Sequence, residues 1–168
     1  RLAELGKFLN MRVVAHDPYG DPETAAGLGV ELVDLERLAE TADVISLHAP
    51  LTTETTHLID AAALARVRTG TILVNCGRGG LLDLDAVHAA LLDGRLAGVG
   101  LDVYEPEPPP PGGHPIFRHP AVVLTPHVLG LSRRARRRIF EEMSAGMAAV
   151  LAGGRAAHIA NPEIYEGA

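Results

Sequence analysis

Apolar residues gather in five short runs, beginning at Val13, Val44, Ile72, Val99 and Val122, so that successive runs start 31, 28, 27 and 23 residues apart. Intervals of this size match a strand–helix–strand unit. Val44-Ile45-Ser46-Leu47 and Thr71-Ile72-Leu73-Val74 are continuous rather than alternating, the pattern of parallel strands buried on both faces. Helical spacing fills the gaps. Leu2, Leu5 and Leu9 share one face of a first helix, which already contains Arg1. Asp34 is placed to cap a helix carrying Leu35, Leu38 and Ala42, and Asp60 one carrying Leu64. Asp83 does the same for Leu84, Val87 and Leu91, with Gly94 just past the helix end, where glycine is favoured. The longest periodic stretch runs from about Ser132 to Leu151 and aligns Ile139, Phe140, Met143, Met147 and Val150. Its methionines are expected to fill a core. Strands alternating with helices predict an α/β fold, a doubly wound, mostly parallel sheet with right-handed crossovers.

Two stretches break this rhythm. Glu105 to Gly113 holds Pro106, Pro108, Pro109, Pro110 and Pro111 together with Gly112 and Gly113, which predicts an extended loop. Gly153 to Ala168 is poor in apolar residues. The expected organisation is one domain over residues 1–152 followed by a tail over 153–168.

Composition narrows the function classes. A length of 168 residues with 47% hydrophobic and 21% charged content is that of one ordinary globular domain. No apolar run approaches the roughly 20 residues that cross a bilayer, so no membrane partner is expected. The net charge of −6 argues against a general nucleic-acid binder. Arg133-Arg134-Ala135-Arg136-Arg137-Arg138 is a local exception; it reads first as the solvated opening of a helix and second as a phosphate or partner surface. Cys76 is the one cysteine, which excludes an intrachain disulfide and fits a reducing, cytoplasmic setting. The eight histidines show no metal-ligand spacing, and no metal is expected.

Chemistry concentrates where runs end. Arg78 stands in Asn75-Cys76-Gly77-Arg78-Gly79-Gly80, Glu107 follows Asp102-Val103-Tyr104-Glu105-Pro106, and His127 closes Thr125-Pro126-His127. Open parallel sheets bind ligands beyond the carboxyl ends of their strands. A guanidinium, a carboxylate and an imidazole converging there suit one task, anchoring an anion while moving a proton. A guanidinium matches a carboxylate in a bidentate fork, and a carboxylate beside an imidazole favours the imidazolium. Sequence physics alone does not separate Glu107 from Glu105. Asp17, in His16-Asp17-Pro18-Tyr19, is placed to accept from a nucleotide ribose and would repel a 2′-phosphate, although an aspartate before proline is also an ordinary turn residue. Asp102 likewise reads either as a ligand contact or as a strand-end aspartate capping local amides. A satisfied core histidine is the plain alternative for His127.

Asn-x-x-Arg-Gly at 75–79, Gly-Leu-Asp-Val-Tyr-Glu-x-Glu-Pro at 100–108 and Thr-Pro-His at 125–127, in that order, resemble the nucleotide-binding domain of the D-isomer-specific 2-hydroxyacid dehydrogenases. The resemblance covers nearly the whole chain and implies a Rossmann-like fold, NAD as cofactor and a small 2-hydroxy or 2-keto acid as substrate. It implies that Arg78 holds the substrate, His127 is the acid/base and Glu107 its partner. It further implies that Asp17 holds the adenosine ribose and that Pro50 and Thr55 line the cofactor groove. Cys76 and Arg78 would border the nicotinamide ribose, Asp102 would meet the carboxamide, and Gly130 would lie beside the nicotinamide with His127. A homodimer is implied for the full-length parent.

The chain departs from the family in two respects. Its sequence contains no G-x-G-x-x-G, so the first strand, the glycine loop and the substrate domain would all precede Arg1. The isolated chain is therefore expected to behave as a fragment that binds NAD weakly and turns over no substrate. Leu129 stands where the family has a small residue. A second reading, a non-catalytic NAD-sensing module or co-regulator on the same fold, stays open at this point.

Overall fold

The computed structural model describes residues 1–165; residues 166–168, the end of the expected tail, lie outside the described residues. The elements in order are α1 (Leu2–Phe8), β1 (Val14–Ala15), α2 (Pro22–Gly27), β2 (Glu31–Leu32), α3 (Leu35–Thr41), β3 (Val44–Leu47), α4 (Ala61–Arg66), β4 (Thr71–Asn75), α5 (Leu84–Leu92), β5 (Leu96–Leu101), β6 (Val122–Leu124) and α6 (Arg133–Leu151). Single 3₁₀ turns occur at Gly79–Leu81, Pro115–Arg118 and Pro162–Tyr165.

The helix starts follow the predicted caps. Asp34 accepts from the Arg37 amide at 2.7 Å, Asp60 from that of Ala63 at 2.8 Å and Asp83 from that of Ala86 at 3.1 Å. Ser132 caps α6 through the Ala135 amide at 3.1 Å. Each such bond satisfies an otherwise orphaned amide and contributes about 1 kcal/mol. Gly94, at φ +80°, ends α5 in a left-handed conformation that suits glycine.

All paired strands are parallel. β1 and β2 form a two-stranded sheet, and β3-β4-β5-β6 form a four-stranded sheet in sequence order. In a doubly wound order of 3-2-1-4-5-6, β1-β2 match the outer pair on one side and β3-β4-β5 the three strands on the other, with β6 one strand further out. No strand among the described residues joins β1 to β3. The first interval of 31 residues conceals an additional unit, α2 and β2, that the apolar pattern did not announce, because β2 is two residues long.

The core lies between the four-stranded sheet and α3, α4 and α5, which adjoin one another in sequence order. Leu73, Leu81, Val87, Ala90 and Ile116 are fully buried there. Ile116 reaches the core from the 3₁₀ turn after the proline loop, a contribution no periodicity predicted. The expectation that these strands are buried on both faces is corrected. Ile45, Leu47, Leu73, Val99 and Leu101 are buried, whereas Val44, Ile72 and Val123 are 43%, 43% and 67% exposed. Side chains alternate along a strand, so helices along one side bury only every second residue.

Contacts divide the chain into two compact units, Arg1–His127 and Val128–Ala168. The second unit consists of α6, whose 19 residues bury none of their side chains, and the segment that follows it. The methionines of α6 are accordingly not core filling, since Met143 and Met147 are 56% and 59% exposed. A stripe of helical spacing specifies which residues share a face, not what covers that face. Arg137–Glu141 and Arg138–Glu142 pair across one turn, each at 2.7 Å. Beyond α6, Arg155 lies over the Tyr165 ring, 4.8 Å from its centroid.

Candidate active site

Three adjacent strand ends build the site. At the end of β4, Asn75 has no exposed surface. Its Nδ2 donates to the Arg78 carbonyl at 2.9 Å and its Oδ1 accepts from the Gly77 amide at 3.0 Å. The Arg78 side chain stands exposed, with Nη1 donating to the Gly77 carbonyl at 2.7 Å. The rest of the guanidinium fork makes no other hydrogen bond to the described residues. Behind it, a Cβ built on Gly79 would meet the Tyr104 carbonyl oxygen at 2.0 Å, so the arginine turn and the loop after β5 touch backbone to backbone. Gly79→Ala is expected to force these loops apart and destabilise the protein by about 3 kcal/mol, read as a lowered midpoint in denaturant titration.

Beyond β5, Asp102 is 3% exposed and accepts from the Thr125 hydroxyl at 2.5 Å. The Tyr104 hydroxyl donates to the Thr125 carbonyl at 2.7 Å, and its ring meets Phe117 edge-on at 5.4 Å. Burial pushes the Tyr104 phenol up, and the charge of Asp102 adds to this, so the hydroxyl stays a donor. Thr125 is thereby held through both side chain and backbone, two residues before His127.

His127 takes φ +52°, a left-handed conformation uncommon for a residue with a Cβ. Its amide donates back to the Thr125 carbonyl at 3.0 Å, closing a tight turn around Pro126 immediately before it. Strain of this kind persists where surrounding structure holds it, often at functional sites. His127 Nδ1 lies 2.8 Å from Glu107 Oε1, with the two side chains 47% and 37% exposed. Glu105 makes no such bond; its carboxylate sits near Gly80, 3.6 Å from where a Cβ would lie. The hydrogen bond falls on Glu107, the glutamate that the family pattern implied and that residue chemistry alone did not separate from Glu105. With Nδ1 committed to a carboxylate, Nε2 is the nitrogen left to exchange a proton with a ligand.

Cys76, beside Arg78, is half-buried. Burial pushes its thiol pKa up and the negative charge of Asp102 pushes it further. Thiolate is the reactive form. Cys76 is therefore expected to be alkylated by iodoacetamide several-fold more slowly than glutathione at pH 8, as followed by intact-mass spectrometry; reaction as fast as glutathione would contradict the assignment.

The candidate nucleotide residues Asp17, Pro50 and Thr55 follow the ends of β1 and β3, which belong to separate sheets. Asp17 follows β1, with one carboxylate oxygen accepting from the Tyr19 amide at 3.0 Å. The Tyr19 hydroxyl lies 3.1 Å from Glu54, so two carboxylates flank this turn. That setting suits a ribose diol and disfavours an added phosphate. After β3, the Thr55 hydroxyl donates to the Pro50 carbonyl at 2.6 Å, and Thr52 and Thr55 are cross-bonded. Pro50 and Thr55 thus belong to one closed turn. Gly130 lies in the second unit, with open space where a Cβ would be.

Among the described residues no group of three or more His, Cys, Asp or Glu is arranged to hold a metal ion, and no helix is long and apolar enough to cross a membrane. His88, His114 and His119 do cluster, with ring centroids 5.5 and 6.2 Å from that of His88. The Nδ1 atoms of His114 and His119 each accept a backbone amide at 3.2 Å. That fixes the proton of each neutral ring on Nε2 and leaves no lone pair there for a metal. Sequence reading missed Thr125 and Tyr104 as supports of His127, and it missed the inward turn of the Asn75 amide; a polar residue ending an apolar strand was the one available signal.

The family model for the D-isomer specific 2-hydroxyacid dehydrogenase NAD binding domain matches residues 1–128. A glyoxylate reductase of Korarchaeum cryptofilum is 39% identical over 165 residues, 98% of this chain and 49% of that protein. A D-3-phosphoglycerate dehydrogenase of Archaeoglobus fulgidus is 41% identical over 80% of this chain and 25% of its own length. Among solved structures, the apo D-lactate dehydrogenase of Escherichia coli aligns with TM-score 0.83 and 34% identity, over 93% of this chain and 48% of that one. The D-lactate dehydrogenase of Aquifex aeolicus, complexed with NAD and lactic acid, aligns with TM-score 0.81 and 28% identity, over 90% and 50%. The chain spans about half the length of most of these relatives, and a quarter of the phosphoglycerate dehydrogenase. Parallel strands with intervening helices and these matches together make the chain a member of the D-isomer specific 2-hydroxyacid dehydrogenase family, carrying its Rossmann-like NAD-binding domain.

Proposed function

We propose that this chain supplies the cofactor-binding half of an NAD-dependent dehydrogenase that interconverts a small D-2-hydroxy acid and its 2-keto acid. The observation that carries the proposal is the Glu107–His127 hydrogen bond of 2.8 Å, whose glutamate stands in the loop that packs at Tyr104 against the turn bearing Arg78. Bound NAD(H) supplies or accepts the hydride at the substrate C2. His127 Nε2 delivers a proton to the C2 oxygen in reduction and removes it in oxidation. Glu107 orients the ring through Nδ1 and stabilises the imidazolium that precedes proton delivery. Arg78 grips the substrate carboxylate and steadies negative charge developing on the C2 oxygen.

The cofactor fits the residues present. Asp17 supports NAD rather than NADP, because its turn with Tyr19 carries one carboxylate and Glu54, bonded to the Tyr19 hydroxyl, brings a second. Pro50, Thr55, Cys76, Asp102 and Gly130 are assigned to the cofactor groove on the family pattern. The single cysteine supports a cytoplasmic enzyme, and a homodimer belongs to the same reading.

The test is steady-state assay of the natural gene product containing these 168 residues. Glyoxylate, hydroxypyruvate and pyruvate are each offered with NADH, and D- and L-2-hydroxy acids with NAD. Turnover of at least one keto acid, and of only the D enantiomer in reverse, is the expected result. NADH binding without turnover of any 2-keto acid would instead favour a non-catalytic NAD-sensing module.

A further inference from the structure

We propose that Asn75 is a positioning residue for Arg78, its buried carboxamide holding the arginine turn in the conformation that presents the guanidinium. The inference rests on the proposed substrate-anchoring role of Arg78.

The argument begins with the weakness of the turn itself. Gly77 and Gly79 flank Arg78, and glycines give a backbone little stiffness of its own. The strand before them is rigid by contrast, since the Asn75 backbone pairs with Leu47 of β3 and Leu101 of β5. The Asn75 side chain carries that rigidity forward. It has no exposed surface, so its polar atoms bond within the chain or go unsatisfied. Gly77 offers a donor and Arg78 an acceptor, which fixes the amide orientation as Oδ1 to the Gly77 amide at 3.0 Å and Nδ2 to the Arg78 carbonyl at 2.9 Å. These two bonds bracket the turn. The backbone of Arg78 is tied to a central strand, and only its own side-chain torsions stay free.

The same residue also registers the arginine against the histidine. The Asn75 carbonyl accepts from the Asp102 amide at 3.0 Å, and Asp102 holds the Thr125 hydroxyl at 2.5 Å. The Thr125 carbonyl in turn accepts the His127 amide at 3.0 Å. Continuous hydrogen bonds thus run from the Arg78 carbonyl, through Asn75, to the amide of His127. Aspartate at position 75 would keep the acceptor and lose the donor, serine would be too short to span both, and leucine would orphan both backbone groups.

A double-mutant cycle distinguishes positioning from mere support of the fold. In the natural gene product, Asn75→Ser is expected to raise KM for the keto acid roughly tenfold, with KM for NADH little changed, because small misplacement of an anchoring group is costly. In an Arg78→Ala background the same substitution should change kcat/KM by less than about twofold, the usual limit of additivity between independent sites. No cost in the wild-type background, or an equal cost in both, would overturn the proposal. Hydrogen exchange gives a second readout that needs no activity. Amides of Gly77 to Leu82 should exchange faster in the variant while those of Ile72 to Val74 keep their protection; unchanged exchange across 77–82 would also overturn it. If Arg78→Ala itself leaves KM unchanged, the anchoring reading of Arg78 fails, and the exchange result alone decides whether Asn75 holds the turn. Should Asn75→Ser fail to fold, Asn75→Asp, which keeps the volume and the bond from Gly77, is judged by the same criteria.

Discussion

Substituting His127 by alanine is expected to lower kcat roughly 100- to 10,000-fold, the range over which a positioned general acid–base group acts, while NADH affinity holds within a few-fold. The reason is the division of labour on the ring. Glu107 occupies Nδ1 at 2.8 Å, so on the proposed reading the proton exchanged with substrate would pass by Nε2. A control is needed because His127 sits at φ +52°, where alanine is strained and asparagine is more comfortable. His127→Asn keeps the turn and removes the acid–base function, so it should lose as much kcat as alanine. Fluorescence titration with NADH separates binding from chemistry, and normal kcat in either variant would remove His127 from the mechanism.

Arg78→Ala is expected to lower kcat/KM by roughly 100- to 1,000-fold, with losses in both KM and kcat, because one group both grips the ground-state carboxylate and meets charge that develops later. Arg78→Lys should recover only part of this, since an ammonium offers a point charge in place of a planar fork. Added guanidinium ion should partly restore the alanine variant and leave the wild type unaffected. A rise in KM for NADH with KM for the keto acid unchanged would instead put Arg78 in cofactor binding alone.

The strand ends were the most legible part of the sequence. Continuous apolar runs located five strands, and aspartates one residue before apolar periodicity located three helix starts, because both signals are local. What local signals do not carry is the neighbour on the far side. The two-residue strand Glu31–Leu32 owes its conformation to pairing with β1, and the exposure of Val44, Ile72, Met143 and Met147 depends on what lies against them. Three candidate residues were legible in the sequence, but not the contacts that hold them. Glu105 and Glu107 are indistinguishable in composition and setting, and the choice between them is made by a bond that closes across 20 residues. Thr125, which bonds the His127 amide, is likewise held in place by two other side chains. Asn75, Tyr104 and Thr125 act through such contacts, and no spacing rule announces them.

The central claim is that Arg78, Glu107 and His127 converge on the reacting carbon of a 2-hydroxy or 2-keto acid. A crystal structure of the natural gene product with NADH and oxamate, an unreactive mimic of a 2-keto acid, tests it most directly. The oxamate carboxylate should lie in bidentate contact with Arg78, with its C2 oxygen within about 3 Å of His127 Nε2 and Glu107 still on Nδ1. Oxamate bound away from Arg78, or His127 turned from the ligand with its Glu107 bond broken, would contradict the account.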